Sequence, residues 1–435
     1  MISLFLISLF TGLMLAGLPV AASLLLASIV AMLAGGHDLM GIPQHMAASV
    51  RSLELMAIPF FILAAQLMTE LGMTRRIFAF AEAAVGWMRG GLAHANVVAG
   101  FIFSGISGAA VADAAALGAI SMREMPRAGY APPFAAAVVM SVSTLGPIIP
   151  PSIMMVVYAI AANVSIARMF IAGLVPGLVI AVAISLLIAI HARLGLTPIP
   201  NRTRFDWRRL AAATRSAALA LFAPLVILRG MSTGMVTPTE AGVLACFYAM
   251  LVGALTGTLR WRALFNAFRD TAVSSAHILF IIAASSALSY VVIAEGTAAN
   301  LAQWLADASV GKTAFLLLAN AMLLVLGCLI ETLPAMLIAT PLLLPTAKTL
   351  GIDLVHLGVV IIFNLLIGIM TPPMGIGLYI LAAISRLRIG ELAIAAIPFV
   401  GVLLAVLMLL TFVPELTLWL PDLLFPDPAA TRKTG

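Results

Sequence analysis

Asp113 and Glu331 are carboxylates set in otherwise apolar stretches, each surrounded by residues able to hold an ion. Residues 104–113 read SGISGAAVAD, so Ser104 and Ser107 supply hydroxyls while Gly105 and Gly108 leave carbonyls open to approach. Glu331 is followed by Thr332, Leu333 and Pro334, and Gly327 precedes it. Two further segments interrupt apolar runs: Gly146-Pro147-Ile148-Ile149-Pro150-Pro151 and Thr371-Pro372-Pro373-Met374-Gly375. Proline lacks the N–H a helix needs, so each break leaves carbonyls without helix partners. Hydroxyls, carbonyls and carboxylates are hard oxygen donors, suited to a hard cation such as Na+ rather than a soft transition metal. A carboxylate at a bilayer centre costs about 2.5–3.5 kcal/mol on insertion scales, which makes both acids candidates for function. The plainer alternative is a structural Asp113 that caps a hairpin helix or pairs with an arginine. His37, His45, His94, His191, His277 and His356 are scattered and form no zinc pattern.

The elements that position these residues must be membrane helices. Hydrophobic residues make up 63% of the 435, and only 9% are charged, whereas soluble chains carry about 25% charged residues. A spanning helix takes about 20 apolar residues, which leaves room for roughly ten to fourteen spans. This composition excludes a soluble enzyme, a fibrous protein and a disordered chain. Long unbroken apolar runs argue against a β-barrel. Cys246 and Cys328 lie in apolar runs and imply neither a disulfide framework nor a metal cluster. The apolar N-terminus has no basic segment before it and reads as a retained helix rather than a cleaved signal. Trp87, Trp261, Trp304 and Trp419 fall at span or arm ends, as interface anchors do.

We read two repeats, residues 1–191 and 217–422, joined by a linker at 192–216 and followed by a tail at 423–435. Each repeat offers three spans: 2–16, 18–34 and 56–69, then 217–230, 241–256 and 272–294. A polar arm follows (70–91 and 295–311), then a run read as a re-entrant hairpin (96–120 and 314–345). An interrupted run (134–162 and 355–384) and a last span (169–190 and 392–413) complete each repeat. An offset of 222, chosen to superpose the two Pro-Pro pairs, also aligns Gly105 with Gly327, Gly129 with Gly351, Gly146 with Gly368 and Pro176 with Pro398. These matches fall where backbone geometry is fixed.

Charge sets the orientation. With five crossings per half and hairpins that return to their own side, the halves are inverted. Placing Arg193, Arg202, Arg204, Arg208, Arg209 and Arg215 of the linker inside puts sixteen basic residues inside. Seven remain outside: Arg51, Arg168, Arg229, Lys312, Lys348, Arg432 and Lys433. The bias follows the positive-inside rule and accounts for the net charge of +6 without nucleic acid.

Free backbone groups in a bilayer cost several kcal/mol each and survive only where protein or a watery cavity satisfies them. Two breaks at corresponding places in inverted halves point to an ion and substrate site at the midplane. The alternative for either break is a proline kink. Ser107 also sits in GISG, similar to the G-x-S-G of intramembrane serine proteases. That reading needs a histidine on a facing helix, and His277 is the candidate.

Together these segments resemble the large membrane subunit of the tripartite ATP-independent periplasmic (TRAP) transporters, over most of the chain. The similarity rests on GLPVAASL near the start, MAIPFFILAAQLM (56–68), SGISGAAVADAAALGAI (104–120), GYAPPFAAA (129–137) and GPIIPPSIMMVVYA (146–159). TPTEAGVLA (237–245), ETLPAMLIATPLLLP (331–345) and TPPMGIGLY (371–379) complete it. The resemblance implies an all-α, multi-pass protein of the bacterial inner membrane. It implies an elevator-type secondary transporter, not an enzyme, in which both hairpins and both broken helices move past a scaffold of the remaining spans. It further implies Na+ as coupling ion with no resident cofactor, a small four-helix membrane subunit, and a periplasmic binding protein that delivers an organic acid.

Residues and resemblance together imply one Na+ among Ser104, Ser107, Gly108, Asp113, Thr144 and Gly146. A second is implied among Gly327, Glu331, Thr332, Thr371 and Gly375. The organic anion is expected between the hairpin tips, at Ser107, Pro150, Pro151, Ser152, Thr332, Pro372 and Pro373. The family hairpin usually reads S-G-S-A-V-A-D, so Ala109 removes one hydroxyl, and Glu331 stands where Asp is common. An autonomous Na+/anion carrier without a binding protein is the alternative within the same class.

Overall fold

The structure is a computed structural model that describes residues 2–195, 204–232, 234–296, 303, 311–373 and 375–425. The second arm and the tail fall largely outside the described residues, as do linker residues 196–203. Nineteen α-helices and one short 3-10 turn make up the described residues. Seven of the helical segments are long and apolar enough to cross a membrane.

The first half contains α1 (Ile2–Leu15), α2 (Val20–Ala34), α3 (Gly41–Ser49), a 3-10 turn (Leu53–Met56) and α4 (Ala57–Glu70). The arm is α5 (Met73–Val85), and the hairpin is α6 (Gly91–Ser107) with α7 (Ala110–Arg127). The broken helix is α8 (Pro132–Ser143) with α9 (Ile153–Ala162), and α10 (Ile166–Leu194) ends the half. The second half runs α11 (Trp207–Ser232), α12 (Pro238–Leu255), α13 (Trp261–Ala294), hairpin α14 (Lys312–Leu329) and α15 (Thr332–Thr349). Broken helix α16 (Leu354–Gly368) and α17 (Ile376–Ser385), then α18 (Ile389–Phe412) and α19 (Glu415–Leu424), follow. The order hairpin, broken helix, long helix therefore recurs. Seven is fewer than the roughly ten to fourteen spans expected from composition, because half-helices of 10–18 residues occupy much of the apolar sequence without crossing alone.

The two hairpins open toward opposite faces. α10 has 29 residues and is about 43 Å long at 1.5 Å per residue. At its C-terminal end, Ile188 and Ala192 lie beside Gly90, and His191 packs on Phe134 at 5.6 Å, next to the mouth of the first hairpin. At its N-terminal end, Met169 lies beside Gly358, just beyond the mouth of the second. Contacts between distant segments join loops of one assigned face: Arg209 with Glu82 at 2.6 Å, Lys312 with the Gly351 carbonyl at 3.2 Å, His37 with Glu295 at 2.8 Å.

Two packing groups emerge. α13 packs on α2, α3 and α4, and α12 packs on α4 and α11. The hairpins and broken helices form the other group, and α10 and α18 pack on them rather than on the scaffold expected from the resemblance. Small residues on α10 explain its place: Gly173 lets the Ile148 carbonyl approach within 2.0 Å of where a Cβ would stand. Phe399 of α18 packs on Phe134 of α8 at 5.9 Å. The TPTE motif is a capping box on α12: Thr237 Oγ1 accepts from Glu240 N at 3.3 Å, and Glu240 Oε2 accepts from Thr237 N at 2.7 Å.

Candidate functional site

Both breaks solve the loss of helix hydrogen bonds by the same local means. Before the first, Thr144, Leu145 and Gly146 donate to carbonyls three residues back, at 3.0–3.3 Å. Before the second, Ile369, Met370 and Thr371 do the same at 3.0–3.2 Å. Such tightened turns satisfy the last carbonyls of a helix. Ser152 Oγ then donates to the Pro147 carbonyl at 2.6 Å and caps α9 by accepting from Met155 N at 3.2 Å. At the second break Tyr379 donates its phenol to the Pro373 carbonyl at 3.2 Å. Pro150-Pro151 and Pro372-Pro373 are both cis.

The first hairpin turns at Gly108, whose φ of +62° suits glycine. A side chain there would also stand 2.6 Å from the Pro151 carbonyl, so the tip is pressed against the first break. Asp113 lies in the first turn of α7 and is 0% exposed. Ser104 donates to Asp113 Oδ2 at 3.2 Å, and Ser107 donates to Oδ1. Gly146 faces the same carboxylate: a Cβ on it would fall 2.5 Å from Oδ2. Ser104, Ser107, Gly108, Asp113 and Gly146 are thus brought together. Thr144 is buried nearby, with its hydroxyl donated to the Ser141 carbonyl at 2.7 Å. No arginine pairs with Asp113, so the ion-pair alternative finds no partner among the described residues.

The second hairpin is arranged differently. Gly327 packs against Gly368 and the Leu365 carbonyl, so α14 and α16 cross with backbones in contact. Thr371 Oγ1 donates to the Ile367 carbonyl at 2.9 Å, and Gly375 folds back over Thr371. Glu331 is the N-cap residue of α15, its side chain makes no cap hydrogen bond, and it is exposed to a cavity. It does not join Gly327, Thr371 and Gly375 as Asp113 joins its neighbours.

The two tips and both breaks line one cavity of about 140 Å³. Gly108–Val111 of the first tip, Glu331–Leu333 of the second, Pro147, Ile153 and Met154 of the first break, and Ile369 and Ile376 of the second face it. Of the residues expected around the substrate, Thr332 lines this cavity. Ser107, Pro150, Pro151 and Ser152 are buried beneath its wall, while Pro372 and Pro373 are exposed outside it. The wall is therefore made by the residues flanking each Pro-Pro pair. The serine-protease alternative finds no dyad among the described residues: the Ser107 hydroxyl donates to Asp113, and no hydrogen bond joins it to His277.

Sequence reading missed a buried amide network. Asn364 Nδ2 donates to Asn320 Oδ1 at 2.8 Å and to its carbonyl at 3.0 Å, and Asn320 donates to Thr411 at 2.9 Å. In the first hairpin Asn96 accepts from Ser121. A polar amide in the middle of an apolar run was the available signal.

The chain matches, over residues 7–416, the family described as the DctM component of the tripartite ATP-independent periplasmic transporter. It is 35% identical over 444 residues to the C4-dicarboxylate TRAP transporter large permease protein of Vibrio cholerae, covering 97% of this chain and 98% of the relative. It is 34% identical over 415 residues to the sialic acid TRAP transporter large permease protein of the same organism, covering 95% and 96%. The crystal structure of the Alcanivorax borkumensis YdaH transporter shares the fold at a TM-score of 0.62 and 16% identity, over 88% of this chain and 90% of that one.

Proposed function

Because the chain belongs to the DctM family of tripartite ATP-independent periplasmic transporters, we propose that it imports an organic acid across the inner membrane by Na+-coupled elevator motion. The shared cavity between the two hairpin tips carries this reading. Two relatives named for carboxylic acids, a C4-dicarboxylate and sialic acid, support a carboxylate substrate.

The residues give the coupling a physical form. A cation is cargo here, and the first site is the oxygen set of Ser104, Ser107 and Asp113 beneath Gly146. A buried carboxylate without a cation is poorly solvated, so Na+ is favoured there over an empty site. A second Na+ belongs to the region of Gly327, Thr332, Thr371 and Gly375, near the second break. Glu331 faces the substrate cavity and repels a bare anion, so an anion enters readily only with cations bound. The N-terminus of α9 adds a favourable dipole, with Ile153 and Met154 on the wall. The moving body comprises the hairpins, the broken helices and, from their packing, α10 and α18. The scaffold comprises α1–α4 and α11–α13.

A small four-helix membrane subunit braces that scaffold, and a periplasmic binding protein delivers the acid. The turns at residues 163–165 and 350–353 are too short to capture substrate themselves. The test is uptake of labelled C4-dicarboxylate and sialic acid into proteoliposomes. The chain is assayed alone, then with the small subunit, then with loaded binding protein, with and without a Na+ gradient. Strong uptake is expected only with all three components and inward Na+. Equal uptake by the chain alone would replace the tripartite reading with the autonomous carrier. Full activity on a proton gradient in K+ medium would remove Na+.

A further inference from the structure

Beyond the tip cavity lies a larger one, of about 760 Å³, between α13, α15, α9 and α3. Helices α9, α13 and α15 line both cavities in continuous register. On α13 the wall passes from Ile278 at the tips to Ile282, Ser285, Ser289 and Ile293. On α15 it passes from Leu333 to Leu337, Pro341, Pro345 and Lys348. Steps of three and four residues keep one helix face toward one space. The stretch from Leu333 to Lys348 spans about 22 Å of helix. The two cavities thus follow one another along the same helix faces, and the outer one ends at Lys348, on the side that the charge count assigns to the outside.

The outer cavity is polarised. Lys348 is exposed at its outer end, and among the described residues no carboxylate lines this cavity, whereas Glu331 lies on the wall of the inner one. His45 and Tyr290, the other titratable groups on the wall, stack on each other with ring centroids 4.4 Å apart. Deeper in, Ser285 is 2% exposed, and its Oγ has no hydrogen-bond partner. A buried hydroxyl in that state is costly unless a ligand or water completes it.

We propose that this cleft is an outer anion subsite, in which Lys348 draws a carboxylate inward and the Ser285 hydroxyl receives it before it passes to the tips. The inference rests on the proposed import of an organic anion. It deepens that proposal by naming where the anion first binds.

The test places a cysteine in the full chain by Ser289→Cys, in intact cells. Negatively and positively charged methanethiosulfonates are applied from outside. Each rate is normalised to a free thiol and taken above that of the parent chain with its native cysteines. The negative reagent is expected to react about tenfold faster, and Lys348→Glu to invert that preference. Ser285→Cys, deeper and more buried, keeps the order at lower rates and serves where the first variant folds poorly. Uptake by Lys348→Gln in the complete three-component system should show a KM raised about tenfold with little change in kcat. Labelling from the cytoplasmic side only, or equal rates that Lys348→Glu leaves unchanged, overturns the subsite. Wild-type uptake measured alongside separates the two proposals. Uptake without anion-selective labelling refutes the subsite alone. Anion-selective labelling without Na+-driven uptake supports the cleft and refutes the transport reading.

Discussion

The two hairpins use the same backbone devices to opposite ends. In the first, Asp113 is sealed beneath the tip, clamped by two serine hydroxyls, and the break behind it is buried from Leu145 to Ala159. In the second, Glu331 stands one residue before its helix, faces the cavity and makes no cap bond, and Pro372 and Pro373 are exposed. In the proposed Na+-coupled cycle a sealed carboxylate would hold a cation tightly, because little water competes for it. A cavity-facing one acts on whatever enters. The two frames are similar, and the placement of one carboxylate within each distinguishes them.

The strongest test of this contrast is Asp113→Asn, which keeps the shape and removes the charge. Na+-driven uptake is expected to fall about a hundredfold or more, since charge-assisted contacts are the strong ones. The purified variant should remain monodisperse in detergent. If Glu331→Gln proves the more damaging of the two, the assignment of roles is reversed.

Next come the glycines at the two frames. Gly146→Ala sets a methyl 2.5 Å from Asp113 Oδ2, and uptake should drop about tenfold to a hundredfold through weakened Na+ dependence. Gly368→Ala instead meets the Gly327 backbone at 2.3–2.6 Å. It should lower stability by about 1–3 kcal/mol, read as an earlier thermal aggregation midpoint. Identical phenotypes for the two substitutions would erase the distinction between ion cage and packing contact.

Glu331→Gln should have a milder effect, about tenfold on uptake. The change is expected in how steeply substrate affinity depends on Na+, because the lost charge is the one that disfavours a bare anion. A Glu331→Gln transporter with unaltered Na+ dependence would leave no coupling role for that side chain.

The smallest effect belongs to Ser104→Ala. Its 3.2 Å hydroxyl contact is the longer of the two on Asp113, and removal should raise the half-saturating Na+ concentration only about threefold to tenfold. A loss as large as that of Asp113→Asn would mean the hydroxyl is essential to the cage.

Much of this arrangement was legible before any coordinates. Proline's missing N–H located both breaks, and a glycine between two small-residue helices located the first tip, because these constraints are local to the residue. The orientation assigned to the halves rests on arginine counts, because the bilayer acts on every loop alike. The substrate wall was less legible. Ser152 looked free to bind but closes its own break onto Pro147, and Ile153 and Met154 line the cavity in its place. The amides of Asn96, Asn320 and Asn364 gave no pattern, since their partners lie 25, 91 and 44 residues away.

The sequence by itself determined that the chain is a bundle of membrane helices with two interrupted runs and two hairpins. Hydropathy, φ restrictions and absent donors act within a few residues and need no tertiary partner. Only the tertiary structure decided that Asp113 is sealed while Glu331 is open, that α10 and α18 pack with the hairpins, and that a second cavity reaching Lys348 lies along the same helix faces as the tip cavity. Those outcomes depend on which faces meet across the bundle. Inside a bilayer, where apolar faces are nearly interchangeable, small-residue contacts and buried polar pairs make that choice.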